Sequence, residues 1–472
     1  MNAPSVPLCV DLDGTLTPID TLSESALSFI QQSPGSIMKL AMWWSQGKAR
    51  IRNELGARVK LDPASVPLRR ELLEWLETQH ASARKMVLVA NVDQRVAAGI
   101  AGRVKLFDEI IAGDDRAELR GPVKRRVLVE RYGERGFDYV GADAADEDIW
   151  SAARHAIVVG DSRLADRVSR STEVERTIAT GSATVRTWIK AIRLHQWVKN
   201  GLIFVPLLLA HSLSLAALRT SLLAFLAFGL CASSVYVLND LLDLAADRAH
   251  PRKRHRPFAE GIISARRGLA AAVLLLLAAG AIATAVNLTF IGVLAGYYLL
   301  TWSYSLRLKR VALVDVMMLA ALYTIRIIAG AAATDVPLSF WLLAFSVFMF
   351  LSLSFVKRYA ELDSVRRTAQ HSGAGRGYGP DDLPLVLSLG TASGYCAIVV
   401  MALYINSPDS AALYQHHKPL WLICPLMLFW ISHIWTLTTR GHMHDDPVVF
   451  AIRDRPSLLI LALLVLSVLV SI

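Results

Sequence analysis

The sequence predicts two parts of different fold class: an α/β domain with a parallel, doubly wound sheet over residues 1–160, and an all-α membrane domain over residues 188–472. Two observations support this division. Short apolar strands alternate with helical stretches in the first part. Long apolar stretches separated by short charged loops fill the second part. The polar segment 161–187, rich in Ser, Arg and Thr, is predicted to be a linker.

The composition agrees with this division. Of the 472 residues 54% are hydrophobic, and 50 Lys and Arg against 40 Asp and Glu give a formal charge of +10. Residues 1–160 hold 21 basic and 22 acidic side chains, so the positive excess lies in the membrane part. Such an excess suits anionic lipid headgroups or phosphorylated substrates. Nucleic acid is disfavoured as a partner, because the cations sit in short loops between apolar stretches.

The α/β domain begins with a strand at residues 8–10 that runs into Asp11-Leu-Asp13-Gly-Thr15. Further strands are predicted at 86–90, 110–112, 139–140 and 156–159. Residues 23–80 are predicted to form a helical insertion, or cap, over the first loop. No secretory signal precedes the first strand, and the four cysteines have neither metal nor disulfide spacing. The domain is therefore expected in the cytoplasm.

Nine apolar spans are predicted in the membrane part, centred near residues 207, 229, 277, 296, 322, 346, 394, 428 and 464. The loops after the even-numbered spans carry 18 Lys or Arg, whereas those after odd-numbered spans carry two, Arg219 and Lys418. The positive-inside rule therefore assigns the even loops to the cytoplasm. The predicted location is the inner (plasma) membrane.

An acidic motif, Asn239-Asp240-Leu-Leu-Asp243-Leu-Ala-Ala-Asp247, ends the second span. At about 100° per residue on a helix these four polar side chains share one face. Carboxylates of this kind hold Mg²⁺, and Mg²⁺ with nearby cations is how proteins hold a diphosphate. A helix end decorated with solvated charge is the alternative. The candidate phosphate ligands are Lys199 before the first span, Arg326 within the fifth span and the following cations of the even loops: Arg248, Lys253, Arg254, Arg256, Lys309, Lys357 and Arg358.

This pattern resembles the UbiA superfamily of intramembrane prenyltransferases, and within it the polyprenyl-phosphate phosphoribosyltransferases. The resemblance covers residues 188–472 and is carried by Arg193-x-x-Gln-Trp-Val-Lys-Asn200, the acidic motif with its basic continuation to Pro257, Ile325-Arg-x-x-x-Gly330, Lys357-Arg-Tyr-Ala-Glu-Leu362 and Ile452-Arg-Asp-Arg455. The second aspartate-rich motif of ordinary prenyltransferases is absent, because Asp315 is followed four positions later by Leu319. Asp315 has no assigned role.

The resemblance implies a fold of nine transmembrane helices and a specific chemistry. Asn239, Asp240, Asp243 and Asp247 would hold Mg²⁺ on the diphosphate of phosphoribosyl pyrophosphate, with Asp240 and Asp243 as catalytic residues. A polyprenyl phosphate would then attack the anomeric carbon. Lys199, Arg254, Lys357 and Arg358 are the expected ligands of the distal sugar phosphate.

The α/β domain resembles the haloacid dehalogenase superfamily of phosphotransferases. In this resemblance Asp11 is the nucleophile, Asp13 the general acid/base, Lys124 the phosphate ligand, and Asp11, Asp143 and Asp146 the Mg²⁺ ligands. Two positions depart from the family pattern: Ala90 stands where a hydroxyl residue is expected, and Ala142 where the first acid of the last motif is expected. The domain is therefore either a phosphatase, with the phosphoribosyl lipid as its substrate, or a degenerate regulatory or scaffolding domain.

Two further functions stay open from the sequence. A prenyltransferase would move the prenyl group itself from a polyprenyl diphosphate to an aromatic or other acceptor. A non-catalytic membrane scaffold or lipid carrier would need none of the acidic side chains. The sequence leaves the lipid chain length and the oligomeric state open.

Overall fold

The computed structural model describes residues 6–33, 35–59, 61–113, 119–181, 183–211, 213–368, 377–443 and 446–472. The chain forms two compact units. One unit consists of Met1–Ile192 and Tyr236–Ala272, and the other of Arg193–Val235 and Val273–Ile472. The acidic motif and the basic loop that follows it therefore belong to the same unit as the N-terminal domain.

A parallel sheet of six strands forms the centre of the first unit. The strands are β1 Leu8–Asp11, β2 Met86–Ala90, β3 Glu109–Ala112, β4 Asp138–Gly141, β5 His155–Gly160 and β6 Glu173–Ala179. They pair in the order β3-β2-β1-β4-β5-β6, with Val10 opposite both Leu88 and Val140. The strand order reverses between β1 and β4, and such a switch point opens a crevice at the carboxyl ends of the strands. This is the predicted doubly wound architecture.

The N-terminal part of the first unit also contains helices. They are α1 Thr21–Gln32, α2 Ser36–Ser45, α3 Lys48–Arg58, α4 Arg70–Ala81, α5 Gln94–Val104, α6 Pro122–Tyr132, α7 Glu147–Ala152, α8 Ser162–Val168 and α9 Val185–Ala191. The first four form the predicted helical insertion between β1 and β2. Helix α1 begins where Asp20 accepts a hydrogen bond from the backbone N–H of Ser23 at 3.0 Å, which is ordinary N-cap chemistry. Trp43 of α2 is buried and stacks on Phe29 of α1, with ring centroids 5.3 Å apart.

The segment predicted as a linker is partly folded into the sheet. Residues 161–187 contain α8 and β6, and β6 pairs with β5 along its whole length. In β6 only Ile178 is buried, because the strand lies at the edge of the sheet. An edge strand with so little apolar surface has the composition of a linker, which explains the difference from the prediction.

The rest of the chain is helical: α10 Val205–Leu209, α11 Leu215–Leu242, α12 Leu244–Ala249, α13 Ala265–Thr284, α14 Leu288–Leu306, α15 Val314–Thr334, α16 Phe340–Thr368, α17 Leu383–Ile405, α18 Pro408–Leu413, α19 Ile423–Thr439, α20 Pro447–Ala451 and α21 Arg455–Ser471. Among the described residues six helices are long and apolar enough to cross a bilayer: α11, α13, α15, α16, α17 and α19. The chain is therefore an integral membrane protein.

The nine predicted spans differ in how well they match these helices. Besides the six, α14 has 19 residues and α21 has 17 at two further predicted positions. At the first predicted span the chain instead forms a 3₁₀ helix, Leu194–Phe204, followed by the five-residue α10. Pro206 at the start of α10 cannot donate a backbone hydrogen bond, which favours this break. The count of nine transmembrane helices stays a prediction.

Two glycines of the second unit lie where another part of the chain comes very close to the helix backbone. A Cβ on Gly330 of α15 would lie 2.0 Å from the carbonyl oxygen of Ile203, and one on Gly390 of α17 would lie 2.2 Å from Cζ2 of Trp435. No larger side chain fits at either position without displacing its neighbour. The close approach at Gly330 brings the 3₁₀ segment 194–204 directly against α15, the helix that carries Tyr323 and Arg326.

Candidate functional site

The acidic motif spans a break between two helices. The sequence predicts one continuous helix through Asp247, but α11 ends at Leu242 and α12 begins at Leu244, with Asp243 between them at φ −92° and ψ 14°. The backbone hydrogen bonds of the helix nearly continue across this break. The N–H of Asp243 donates to the carbonyl oxygen of Asn239, and the N–H of Asp247 donates to the carbonyl oxygen of Asp243. Asp240 and Asp247 are buried, whereas Asn239 and Asp243 are half-buried. The acids therefore differ in exposure although they are close in sequence.

Arg256 joins two of these acids. Its Nη1 lies 3.0 Å from Oδ1 of Asp240 and 2.6 Å from Oδ2 of Asp247. One cation is therefore already shared by two buried carboxylates, and carboxylate oxygens are the ligands that Mg²⁺ prefers. The residues present fit a magnesium ion by their chemistry. Of the other predicted cations of this loop, Lys253 is half-buried and Arg254 is exposed, both in the short 3₁₀ helix Lys253–His255.

Arg248 has a different environment from that of a phosphate ligand. Its two terminal nitrogens each lie 2.6 Å from an oxygen of Glu24, and its Nε donates to the carbonyl oxygen of Ala259 at 2.9 Å. The side chains of Arg248 and Glu24 are 9% and 7% exposed. The guanidinium predicted to bind phosphate is thus held in a bidentate pair with a carboxylate of α1.

A second cluster of charged residues lies in the second unit. Nζ of Lys199 is 2.6 Å from Oδ2 of Asp446, Nζ of Lys357 is 3.9 Å from the same oxygen, and the hydroxyl of Tyr323 donates to Asp446 at 2.8 Å. Burial alone raises the pKa of Asp446, but the charges of Lys199 and Lys357 and the hydrogen bonds from Lys199 and Tyr323 outweigh it and lower the pKa to about 2. The cluster brings two predicted phosphate ligands together on one ionised carboxylate.

Asp446 and Tyr323 were not among the predicted site residues. Asp446 precedes Pro447 and caps α20 by accepting from the backbone N–H of Val448 at 3.2 Å. An Asp-Pro pair of this kind is a helix-start signal. This signal could have predicted that Asp446 precedes a helix, but it does not indicate that Asp446 pairs with Lys199.

Arg326 is buried beside this cluster within the second unit. It donates to Oδ1 of Asn200 at 3.1 Å, to the hydroxyl of Tyr297 at 3.3 Å and to the carbonyl oxygen of Leu322. Its guanidinium carbon also lies 5.2 Å from the ring centres of Phe228 and Tyr297. A guanidinium is positively charged at any ordinary pH, so Arg326 adds a positive charge close to the cluster.

Arg358 and Asp315 form a separate buried pair. Nη2 of Arg358 lies 2.6 Å from Oδ2 of Asp315, both side chains are 1% exposed, and Tyr304 donates its hydroxyl to Asp315 at 2.8 Å. Arg358 also contacts Glu361. These contacts favour a structural role for Arg358 and give the isolated Asp315 a partner. Lys309, another predicted ligand, is half-buried in the 3₁₀ turn Leu308–Arg310.

The α/β domain brings its motif residues together at the carboxyl ends of β1 and β4. Nζ of Lys124 lies 2.6 Å from Oδ1 of Asp11 and 3.8 Å from Oδ1 of Asp146, and Thr15 donates its hydroxyl to Asp11 at 3.2 Å. Thr21 donates its backbone N–H and its hydroxyl to Asp13, both at 3.1 Å. Desolvation raises the pKa of Asp13 to about 8, with a further contribution from the charge of Asp20. A carboxyl group with this pKa holds a proton at neutral pH.

The two acids after β4 differ in position. Asp146 is buried, accepts from the hydroxyl of Tyr139 at 3.3 Å and has its pKa raised to about 7 by burial and by the charge of Asp11. Asp143 is 58% exposed and lies 3.4 Å from Arg120. Ala90 is buried at the end of β2. Asp146 therefore approaches Asp11 and Lys124, whereas Asp143 faces solvent.

Three side chains of types that commonly bind metals also lie close together in the α/β domain. Among the described residues, the ligand atoms of Asp138, His155 and Glu175 all lie within 4.8 Å of one another. Asp138 already pairs with Arg84 and Arg154. It begins β4, so it lies at the opposite end of the sheet from Asp11. We interpret the group as an ion-pair network.

Comparisons with known proteins find a family match within the membrane part of the chain. The model of the UbiA prenyltransferase family matches residues 201–469. The chain is 38% identical over 465 residues to uncharacterized protein y4nM of Sinorhizobium fredii, covering 97% of this chain and 90% of that protein. It is 36% identical over 275 residues to nodulation protein NoeC of Azorhizobium caulinodans, covering 58% of this chain and 89% of that protein.

A relative with a named reaction is also similar. Decaprenyl-phosphate phosphoribosyltransferase of Mycolicibacterium smegmatis is 32% identical over 301 residues, covering 61% of this chain and 93% of that protein. This relationship confirms the predicted likeness to that group of transferases, while the haloacid dehalogenase likeness of the N-terminal domain stays a prediction. Because the family match extends over more than half of its residues, the chain belongs to the UbiA prenyltransferase family.

Proposed function

We propose that this protein is a Mg²⁺-dependent membrane transferase that moves a phosphoribosyl group from phosphoribosyl pyrophosphate to a polyprenyl phosphate. The observation that carries the proposal is Arg256 between Asp240 and Asp247. Two buried carboxylates and an arginine in one cluster suit a metal and a diphosphate together. The relationship to a decaprenyl-phosphate phosphoribosyltransferase supports the choice of donor and acceptor.

The acidic motif supplies the metal ligands of this proposal. Asp240 and Asp247 hold the ion, with Asn239 and Asp243 as further oxygen ligands. Mg²⁺ held by these residues would supply positive charge that offsets the negative charge of the leaving diphosphate. Arg256, with Lys253 and Arg254 from the same loop, binds diphosphate oxygens, because guanidinium and ammonium groups pair well with phosphate. Each of these cations therefore makes the diphosphate a better leaving group.

In the second unit Lys199 and Lys357 are the proposed ligands of a substrate phosphate. Both face Asp446, and Arg326 adds positive charge from the same unit. A phosphate oxygen binds where two ammonium groups converge, while Asp446 and Tyr323 keep Lys199 in place. The buried pair of Arg358 with Asp315 stabilises the helices that carry these residues, so we leave Arg358 out of the phosphate site.

We further propose that the N-terminal domain is a haloacid dehalogenase-type phosphohydrolase that removes the sugar phosphate from the lipid product. An oxygen of Asp11 attacks phosphorus and forms an aspartyl phosphate, while the bond to the sugar oxygen breaks and that oxygen takes a proton from Asp13. A water molecule then attacks the aspartyl phosphate and gives its proton to Asp13. Inorganic phosphate leaves, and Asp11 is regenerated. Lys124 is the proposed ligand of the phosphate oxygens, and its distance of 2.6 Å from Asp11 supports this role.

The first experiment tests the donor. Purified protein in detergent with Mg²⁺ receives radiolabelled phosphoribosyl pyrophosphate and polyprenyl phosphate, and transfer of label into the lipid phase is followed. Transfer by the wild type and its loss in Asp243→Ala support the proposal. The matched control is Asp335→Asn, which alters an exposed aspartate just after α15 and should transfer normally. A normal rate in Asp243→Ala would contradict the proposal.

The same experiment separates the alternatives. No phosphoribosyl transfer, together with turnover of a polyprenyl diphosphate, would assign the protein to the prenyltransferases, as the family description suggests. If neither donor is turned over, the result would favour a non-catalytic membrane scaffold or lipid carrier. The state of the lipid product tests the second half of the proposal, because a product without its sugar phosphate requires an active hydrolase.

A further inference from the structure

The start of helix α1 contacts the candidate general acid of the α/β domain. Thr21 is the first residue of α1, and its backbone N–H and hydroxyl both donate to the carboxyl group of Asp13 at 3.1 Å. Among the described residues, the hydroxyl of Thr21 is the only side-chain group that donates a hydrogen bond to Asp13. The orientation of this carboxyl group therefore depends on where α1 begins.

The first turn of the same helix is also bound by the segment that follows the acidic motif. Glu24 receives two hydrogen bonds of 2.6 Å from Arg248, and Asp20, the N-cap residue, pairs with Arg266. Arg266 also donates to the hydroxyl of Ser23 at 3.2 Å. Two arginines of residues 236–272 thus hold three polar residues at the start of α1: Asp20, Ser23 and Glu24.

The segment that follows the acidic motif also contacts the residues before α1 through Gly261. Gly261 has φ +77°, and a Cβ built on it would lie 2.7 Å from Cγ of Pro18 and 3.2 Å from Cγ2 of Ile19. A glycine is required here on both counts, since L-residues rarely adopt this φ and the space is already filled. The loop after the acidic motif is therefore packed directly against the segment that joins Asp13 to α1.

We propose that Arg248 is a positioning residue for Asp13, acting through Glu24 and helix α1, so that the phosphohydrolase site depends on the helix that carries the transferase motif. This inference rests on the proposed phosphohydrolase. Arg248 follows Asp247 directly, and both belong to the six-residue helix α12. Because the Arg248–Glu24 pair is buried, removal of one partner leaves an uncompensated charge and displaces the start of α1.

The test compares two substrates whose leaving groups differ in how much they need a proton from Asp13. An alkyl phosphate needs its leaving oxygen protonated as the bond breaks, whereas 4-nitrophenyl phosphate needs little protonation. The value of kcat/KM for each substrate is measured with the full-length protein in detergent and Mg²⁺. In Glu24→Gln and in Arg248→Gln the ratio of alkyl to aryl kcat/KM falls by about tenfold, a modest share of the rate that a positioned acid contributes. A smaller active fraction would leave this ratio unchanged.

Two further variants complete the test. The double variant Glu24→Arg with Arg248→Glu restores the ion pair and is expected to recover at least part of the ratio. The matched control is Glu109→Gln, which removes a carboxylate paired with Lys85 and Arg131 at the start of β3, the end of the sheet away from Asp11. It should leave the ratio unchanged.

Each contrary outcome has a distinct meaning. Equal falls for both substrates in the Glu24 and Arg248 variants would overturn the positioning role and leave the phosphohydrolase intact. A wild-type protein that hydrolyses neither substrate would overturn the phosphohydrolase, and the positioning role with it. Neither result would bear on phosphoribosyl transfer, which is measured separately with the labelled donor.

Discussion

Nζ of Lys199 lies 2.6 Å from a carboxylate oxygen of Asp446, which is 247 residues further along the chain. Both side chains are less than 10% exposed. Tyr323 donates its hydroxyl to the same carboxylate, and Lys357 approaches it at 3.9 Å. Asp446 thus neutralises part of the charge of a lysine pair that is the proposed ligand of a substrate phosphate, and its removal has separable effects on stability and on transfer.

Asp446→Asn is expected to destabilise the protein by about 3 kcal/mol, because breaking a buried ion pair leaves one charge without compensation. Asparagine keeps an oxygen for the N-cap of α20 and for Tyr323. The loss of stability therefore measures the effect of removing the negative charge of Asp446. Denaturant unfolding in detergent measures the change. Adding Lys199→Met to Asp446→Asn should recover most of the stability, since the uncompensated ammonium is gone, but should leave phosphoribosyl transfer impaired. Full transfer by this double variant would contradict the assignment of Lys199 to a substrate phosphate.

The stability of the protein in acid is expected to depend on Asp446. Its pKa in the folded protein is about 2, against an ordinary value of 3.8. Between these values the unfolded chain binds more protons than the folded one, so the contribution of Asp446 is present above pH 4 and is lost as the pH falls to 2. A shift of this size corresponds to about 2 kcal/mol. The difference in unfolding free energy between the wild type and Asp446→Asn should therefore narrow by this amount from pH 6 to pH 2. An unchanged difference would mean that Asp446 titrates normally.

Much of the fold could be predicted because the signals are local. The strand at 86–90 coincides with β2, and the helical insertion coincides with α1 to α4. The structure departs from the prediction where tertiary contacts decide. Strand β6 buries only Ile178 and pairs at a sheet edge, so its sequence is as polar as a linker. The segment 194–209 is apolar enough for a span, yet it forms a 3₁₀ helix and one short α-helix against Gly330.

The candidate sites show the same division between local and distant information. The acidic motif and Asp11-Leu-Asp13 are recognisable because their spacing is itself the chemical signal. Arg248 pairs with Glu24 and Lys199 with Asp446, at separations of 224 and 247 positions in the sequence. Arg358 pairs with Asp315, which is also far away in the sequence. No sequence periodicity links such pairs. A list of basic residues therefore could not separate those that pair with buried carboxylates from those that remain for phosphate.

Asp11→Asn is expected to separate the two proposed activities. The amide cannot act as the nucleophile, so phosphate release from the lipid product should fall by at least about 100-fold. Phosphoribosyl transfer should be unchanged, because Asp11 contacts Lys124 and Thr15 and is not part of the acidic motif. Chromatography of the labelled lipid would then show the sugar phosphate retained. Asp143→Asn is the matched comparison, since this acid is exposed to solvent and pairs with Arg120, so its removal should have a smaller effect. A product that still loses its phosphate in Asp11→Asn would exclude the α/β domain as the hydrolase.

Arg256→Gln is expected to change the magnesium dependence of transfer in a characteristic way. In the structure Arg256 occupies the carboxylates of Asp240 and Asp247, so it competes with a metal for the same oxygens. Without the guanidinium the two acids repel each other and bind a divalent ion more tightly, which lowers the Mg²⁺ concentration for half-maximal rate. The maximal rate nevertheless falls, because the leaving diphosphate loses one cation. Titration of transfer with Mg²⁺ measures both quantities, and Arg252→Gln, in the same loop but exposed, serves as the control. A lower rate with an unchanged Mg²⁺ requirement would mean that Arg256 and the metal do not share the acidic motif.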